Sequence, residues 1–488
     1  MIYYLSHTVG RMSLQFQERL TTMSFQIDSE KPCHVHFIGI GGMSMSGLAF
    51  ILREKGFHVT GSDRAESIET NYLKNLGFQV WIGHDASHIT EDVGLLVYNA
   101  AIHPDNPEFA KAAAMNIPML TRGELLGQIM REYPISVGVA GTHGKTTTTS
   151  IMSHILLAAG LDPTITVGSE LPKIGGTVRC GKSPVFLAEA CEYTNSFHYL
   201  YPLYEIVLNI EAEHMDFFKD MDDVRHSFRV YMENVPAEGA VVIDYAIKNL
   251  DELTAGLACR VVTYNMTDVN ADYHAENIAL IPGTPYYEFD VCKKGCAMRL
   301  MHVQLSVPGI HNVGNCLSAI VTALLMGIRP ETIVPAIAEY TGAGARFEKK
   351  GPWGGGMLYD DYAHHPQEIE ATLKAAVNFP HRQIWALFQP HTYSRTKQFF
   401  NEFVQALSLA DHVVLMKLYP ARETDTLGVS SELLCEALQK NGVDAHYCPT
   451  FDDMKNFLLK QDINGDLLIT MSGSGNIHEF GDYLLSNE

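Results

Sequence analysis

The run Gly141-Thr142-His143-Gly144-Lys145-Thr146-Thr147-Thr148 has the residue types and order needed to hold a polyphosphate. Its glycines let successive backbone N–H groups face phosphate oxygens, and a helix starting at its end adds a dipole. Lys145 can reach the terminal phosphates, and the Thr146 hydroxyl can hold Mg²⁺. The run departs from the general phosphate loop at one place: Val139 stands five residues before Gly144, where the pattern has its first glycine, with Gly138 beside it. A tight strand-to-helix turn would explain the glycines but not the adjoining Lys-Thr pair, so the expectation is a nucleotide site.

Two further apolar runs end near plausible metal ligands. Val185-Phe186-Leu187-Ala188 ends at Glu189, and Ile206 to Ile210 ends four residues before His214. In a parallel sheet the carboxyl ends of neighbouring strands share one edge, which would bring Glu189 and His214 toward Thr146. A Mg²⁺ set of Thr146, Glu189 and His214 follows, although Mg²⁺ prefers oxygen and His is an unusual ligand for it. Nearer the N-terminus, His34 to Ile40 leads into Gly39-Ile40-Gly41-Gly42, with Ser44 in place of the last glycine of a dinucleotide fingerprint and Asp63 about 20 residues on. By itself this run suggests NAD as readily as any other ligand.

The elements that must position these residues alternate short apolar or β-branched runs with longer helical patterns, the mark of parallel α/β sheets. Three units follow. Residues 31–133 read as a Rossmann-like domain and 134–342 as a central P-loop domain. A third, Rossmann-like α/β domain follows at 343–488, with strands near Met357–Tyr359, Ile384–Phe388, His412–Met416 and Asp466–Thr470 and a Gly-rich turn at Gly351–Gly356. Residues 1–30 precede the first strand and are expected to be poorly packed; Met1–Thr22 should be dispensable, with Met23 an alternative start. The chain has 488 residues and a net charge of −21, which argues against wrapping a nucleic acid or docking on an anionic membrane. Nine cysteines lack the spacing of a zinc site or a disulfide framework. No apolar run is long enough for a membrane span and no signal-type segment opens the chain, so the expected compartment is the cytoplasm.

An ordered set of motifs then carries a family resemblance. Gly141–Thr148, Glu189-Ala190-Cys191-Glu192, Asn209–Asp216, Gly309–Asn315, Arg346-Phe347-Glu348 and Asp360–Pro366 resemble those of the Mur ligases, from about His34 to the C-terminus. Within that family Gly39–Gly47, Phe388-Gln389-Pro390-His391 and the His364-His365 pair are similar to the members that add L-alanine to UDP-N-acetylmuramate.

That resemblance implies ATP and Mg²⁺ on the central domain, with Gly141, Thr142, His143, Gly144, Lys145, Thr146 and Thr147 around the phosphates. It implies His311, Asn312 and Asn315 at the adenine, Arg346 on the phosphates and Asp361 at the ribose or phosphate region. Gly41, Gly42, Asp63 and Arg122 would serve the UDP-sugar, while Tyr362, His364 and Arg395 would line the amino-acid site. The implied reaction activates a carboxylate as an acyl phosphate, with Lys145, Arg346 and His364 as the catalytic groups. His364 either accepts a proton from the amine or only hydrogen-bonds substrate. Three departures from the resemblance stand out: Ala345 stands where related alanine-adding ligases often have a second arginine, Thr392 where some relatives carry arginine, and Cys191 interrupts the Glu-Ala-Asp-Glu form of other members. Other readings are a sibling ligase adding a peptide or another amino acid, an NAD-dependent dehydrogenase built on Gly39–Asp63, and a nucleotide switch without catalysis.

Overall fold

A computed structural model describes residues 25–486 apart from Asp216, Arg422 and Ser474. Met1–Thr22 and the alternative start at Met23 therefore lie outside the described residues. The described residues form two compact units, the first running to residue 274 with 292–298 and 315–336, the second of 275–291, 299–314 and the described residues from 337 onward.

The first unit holds a five-stranded sheet of β1 (His34–Ile38), β2 (His58–Asp63), β3 (Gln79–Ile82), β4 (Val93–Tyr98) and β5 (Met119–Thr121). Its order is β3-β2-β1-β4-β5 and every pairing is parallel. Because β1 has β2 on one side and β4 on the other, the chain reverses its winding direction there. The crevice at the carboxyl end of β1 is where such sheets bind ligands, and Gly39–Gly42 occupy it. The helix Arg122–Arg131 starts with a reciprocal cap between Thr121 and Glu124, two orphan donors satisfied at once. Against this helix the expected loose extension is corrected from Phe25 onward. Gln128 accepts from Ile27 N at 2.8 Å and donates to Phe25 O at 3.0 Å, and Phe25 and Ile27 pack on the core.

The same unit contains β6 (Ile135–Ala140), β7 (Thr164–Leu171), β8 (Gly176–Arg179), β9 (Val185–Glu189), β10 (Tyr204–Val207), β11 (Ala240–Asp244) and β12 (Arg260–Asn265). These run in the order β12-β11-β10-β6-β9-β7-β8. Strand β6 is paired in parallel with β10 and β9 and is buried along its whole length, which explains its near-continuous apolar sequence. One continuous core joins side chains of both sheets, from Val35 and Phe37 to Phe186, Phe228 and Ile243.

Glu205 of β10 breaks this apolar pattern. Its side chain is fully buried and neither carboxyl oxygen has a hydrogen-bond partner; the nearby Tyr231 hydroxyl has none either. Burial raises the Glu205 carboxyl well above its usual range. A raised acid contributes stability fully present below its unfolded value and lost as pH rises through the folded one, so at neutral pH this group is a cost. Glu205→Leu should stabilise the protein by about 1–3 kcal/mol, read as a higher midpoint in thermal melts near neutrality. A lower midpoint would show an unrecognised role for the carboxyl group.

Strand β13 (Tyr273–Leu280) leads to β14 (Tyr286–Lys293) and β15 (Met301–Pro308), which pair antiparallel. The remaining sheet comprises β16 (Glu348–Trp353), β17 (Gly356–Asp361), β18 (Ile384–Phe388), β19 (His412–Leu415), β20 (Asp444–Tyr447) and β21 (Leu467–Met471), ordered β16-β17-β21-β18-β19-β20. Strand alternation sorts β18 between two cores: Ile384, Ala386 and Phe388 enter one, Trp385 and Leu387 the other. The Gly-rich stretch expected as a turn is mostly strand. Gly351, Pro352 and Trp353 belong to the edge strand β16, where a proline is tolerated. Only Gly354 and Gly355, with φ of 56° and 86°, make the hairpin turn to β17, the backbone that a two-residue turn demands.

Candidate active site

The loop Gly141–Gly144 leaves β6 and enters the helix Lys145–Ala158. Gly144 has φ of 85°, and a Cβ there would lie 2.4 Å from Asn315 Oδ1, so backbone and space both exclude a larger residue. Asn209, just beyond β10, braces the loop from the neighbouring strand. Its side chain accepts from His143 N at 2.8 Å and donates to His143 O at 3.1 Å, while its carbonyl accepts from Thr142 N. Glu211 N donates to the Thr142 hydroxyl at 2.9 Å. Gly144→Ala should therefore raise the KM for the nucleotide at least about tenfold while the protein stays folded, because the added methyl forces the loop off its geometry; unchanged nucleotide affinity would show that the loop does not grip phosphate.

Lys145 is folded back into this loop. Its ammonium donates to Gly141 O and to Thr142 O, and it pairs with Glu192 Oε2 at 3.0 Å. Burial opposes its charge, yet the Glu192 and Cys191 side chains beside it raise its pKa. Glu192, only 3% exposed, also faces His214 Nε2 at 3.7 Å. His214 has φ of 55° and its ring lies against Tyr193. That φ lies in the left-handed region, which is strained for a residue other than glycine. Glu189 ends β9 and accepts from Gly168 N at 2.6 Å. Lys145, Glu192 and His214 thus form one cluster, with Glu189 contributing a second carboxylate to the charge near Lys145. Two carboxylates against one ammonium leave net negative charge around Lys145, which opens the helix, with Thr146 next in its first turn. That donor set suits a hard divalent cation such as Mg²⁺.

Residues Glu192 and Asn209 carry more of this geometry than their place in the sequence suggests. Asn209 follows an apolar strand on the same edge as the loop, a signal that the sequence does contain. His311, Asn312 and Asn315 all lie in the first turns of the helix His311–Leu325. Asn312 donates to Pro308 O at 2.7 Å, and Asn315 is the residue that faces Gly144.

At the carboxyl end of β1, Gly41 N donates to Asp63 Oδ2 at 2.8 Å, so Asp63 braces the glycine turn. Arg122 reaches Ser44 Oγ at 3.1 Å and brings positive charge to the helix start beside Gly41 and Gly42. Beneath the turn lies a group that sequence reading missed, the fully buried Glu108. It accepts from Ser62 Oγ at 2.5 Å, His88 Nδ1 at 2.6 Å and His84 Nδ1 at 3.2 Å. Ser62 O in turn accepts from Gly39 N and Ile40 N. Burial would raise the Glu108 carboxyl, but His36, Ser62 and His88 around it hold it down at about 2.

In the second unit the turn before β16 is tied to the end of β17. Asp361 accepts from Phe347 N, Ala363 N and the Thr372 hydroxyl at 2.7–2.9 Å. Burial lifts its carboxyl to about 6 against the pull of Arg346. The Arg346 guanidinium lies over the Tyr362 ring at 4.7 Å, a cation–π contact. Ala345, just before Arg346, has φ of 49°. His364 Nδ1 sits 2.8 Å from Tyr362 O and 3.0 Å from Glu368 Oε2. Both partners only accept, so the proton is on Nδ1 and Nε2 is the nitrogen able to take another. Arg395 donates to His391 Nδ1 at 3.0 Å, and His391 lies 6.2 Å from the His364 ring. Tyr362, His364 and Arg395 thus gather at the carboxyl ends of β17 and β18, as the parallel sheet requires. Thr392 caps the short helix that carries Arg395.

Comparison with known proteins accounts for nearly all of the chain. Residues 34–134 match the Mur ligase family catalytic domain, 139–323 the Mur ligase middle domain and 345–475 the Mur ligase glutamate ligase domain. A protein of Agathobacter rectalis named UDP-N-acetylmuramate--L-alanine ligase is 52% identical over 94% of this chain and 99% of its own length. One of the same name from Lachnospira eligens is 50% identical over 94% of this chain and its full length. The crystal structure of UDP-N-acetylmuramate-alanine ligase MurC from Thermotoga maritima superposes with a TM-score of 0.78 at 26% identity, covering 93% of this chain and 98% of that one. With its three family domains in order, its phosphate loop and its glycine turn at the winding reversal, the chain belongs to the Mur ligase family.

Proposed function

We propose that this protein is an ATP-dependent ligase that forms an amide bond between the lactyl carboxylate of UDP-N-acetylmuramate and L-alanine, a step of peptidoglycan synthesis in the cytoplasm. The observation that carries the reading is identity of 50–52% across 94% of the chain to two enzymes of that name, joined to a phosphate loop whose lysine is held by Glu192.

A carboxylate and an ammonium ion do not condense unaided in water, because the carboxylate is a poor electrophile. Lys145 would release the loop carbonyls and turn to the terminal phosphates, offsetting charge while the carboxylate oxygen attacks phosphorus and ADP leaves. Thr146, Glu189, Glu192 and His214 would hold Mg²⁺, which supplies charge neutralisation on the transferred phosphoryl group. The glycine turn at Gly41 and Gly42 and the Arg122 side chain would bind the diphosphate of the sugar nucleotide, with Asp63 and Glu108 fixing the turn. Tyr362 would bound the alanine side chain and Arg395 would hold its carboxylate. His364 Nε2 would accept a proton from the ammonium, and the free amine then attacks the acyl carbon as phosphate departs. Arg346 and Asp361, joined through the turn between them, would sit at the nucleotide.

The reading is tested by competition. Alanine, glycine, serine, D-alanine, D-glutamate and a short alanyl peptide are offered together with UDP-N-acetylmuramate and ATP, and products are resolved by mass. L-Alanine should dominate, with leakage of glycine and serine, since one methyl or hydroxyl discriminates by only about 1–3 kcal/mol. Preferred incorporation of D-glutamate or of the intact peptide would overturn the substrate assignment.

A further inference from the structure

Away from the candidate active site, the amino ends of the neighbouring strands β1 and β2 each open on a histidine. His34 and His58 are register partners on the parallel strands β1 and β2, and their rings lie 4.2 Å apart. Asp92, immediately before β4, places Oδ2 2.8 Å from His34 Nδ1. Ligand atoms of His34, His58 and Asp92 all fall within 4.8 Å of one another.

Hydrogen-bond accounting gives this group a need for a cation. Thr60 Oγ1 sits between His34 Nε2 at 2.8 Å and His36 Nδ1 at 2.9 Å. His36 is fully buried, and its Nε2 has no hydrogen-bond partner and faces Glu108 Oε1 at 3.8 Å. One hydroxyl has one proton, so two neutral rings can share it in only two complete ways. In the first, His34 Nδ1 donates to Asp92, Thr60 donates to His34 and His36 donates to Thr60. That leaves a bare nitrogen of His36 pointing at a buried carboxylate, where repulsion is least screened. In the second, His36 turns an N–H toward Glu108, accepts from Thr60, and Thr60 accepts from His34 Nε2. The conflict then moves to the surface, where the lone pair of His34 Nδ1 faces the Asp92 carboxylate with no proton between them.

We propose that His34 Nδ1, Asp92 and His58 bind a divalent transition-metal ion of the zinc class, which resolves this conflict and fixes the second arrangement. Imidazole and carboxylate suit such an ion, and Thr60 is the outer partner that a ligating histidine uses for its other nitrogen. His58 and Asp92 are exposed, so rotation of their side chains closes the ligand distances to those of a bound ion, with water completing the shell. The bound ion also gives Glu108 a facing N–H, linking the surface site through Thr60 and His36 to the carboxylate under the glycine turn.

The test is titration of the full chain with zinc chloride at about pH 8, where an ordinary imidazole is neutral, by calorimetry and by thermal melting. The wild type should bind one Zn²⁺ more than His58→Ala or Asp92→Asn, and Zn²⁺ should raise its melting temperature more than theirs. Because both positions are exposed, the variants should fold, which circular dichroism checks. Equal stoichiometry and affinity in the wild type and both variants would overturn the site, whatever Zn²⁺ the nine cysteines bind elsewhere.

Discussion

Lys145→Ala lowers ATP turnover by at least roughly 10²–10³-fold, the loss that follows removal of one preorganised charge aimed at a transition state. The variant has a second effect that must be separated from the first. Lys145 is 17% exposed and is paired with Glu192, which is 3% exposed, so alanine leaves a buried carboxylate that, among the described residues, faces His214 at 3.7 Å. Such an unpaired charge is costly, and Lys145→Ala alone should melt at a lower temperature. The double variant Lys145→Ala/Glu192→Gln removes that cost and recovers much of the melting temperature, yet stays inactive. Single-turnover ADP release on both variants, beside their melting curves, makes the comparison. Near-normal turnover in the folded double variant would remove Lys145 from the phosphate chemistry.

Glu108→Ala should destabilise the protein by about 3–5 kcal/mol, as expected when one partner of a buried charged network is deleted. The carboxylate is the common acceptor for Ser62, His84 and His88, and alanine leaves those donors around a cavity. Its acid dependence follows from the same contacts. The carboxyl falls from 4.5 to about 2 on folding, so its contribution of about 3 kcal/mol is full above the unfolded value and lost as pH falls through the folded one. Urea melts from neutrality down to about pH 3 should show the wild type losing its advantage over Glu108→Ala in that window. A difference of under about 1 kcal/mol at neutrality would contradict the network. Because Ser62 O holds Gly39 N and Ile40 N, the variant should also bind the sugar nucleotide more weakly.

The parts of this molecule legible in the sequence are those written locally. The phosphate loop is contiguous, its strand is apolar throughout, and Gly144 is required by both its φ and its neighbour. The carboxyl-edge argument used the ends of two strands, and Glu189 does close β9 while His214 lies in the loop beyond β10, but strand ends do not specify side-chain direction. Glu189 turned to Gly168 N, and the carboxylate on Lys145 is Glu192, three residues farther along. The Gly351–Gly356 stretch misled because composition marks turns while sheet pairing decides them, and only two of its residues make the bend. Glu108 was invisible for a different reason. Its partners come from β1, β2, the segment after β3 and a short helical turn, and at its own position it reads as an ordinary acid in the first turn of a helix. Residues 25–30 likewise read as a tail because nothing near them in sequence shows that Gln128 holds them.

The central claim is that a carboxylate is activated by phosphoryl transfer before the amine attacks. It is tested most directly with UDP-N-acetylmuramate carrying ¹⁸O in its lactyl carboxylate, L-alanine and ATP, with the inorganic phosphate collected and analysed by mass. Attack of the carboxylate on the γ-phosphate moves one labelled oxygen into the phosphate for each amide formed, with ADP as the partner product. Unlabelled phosphate, or release of AMP in place of ADP, would contradict the account.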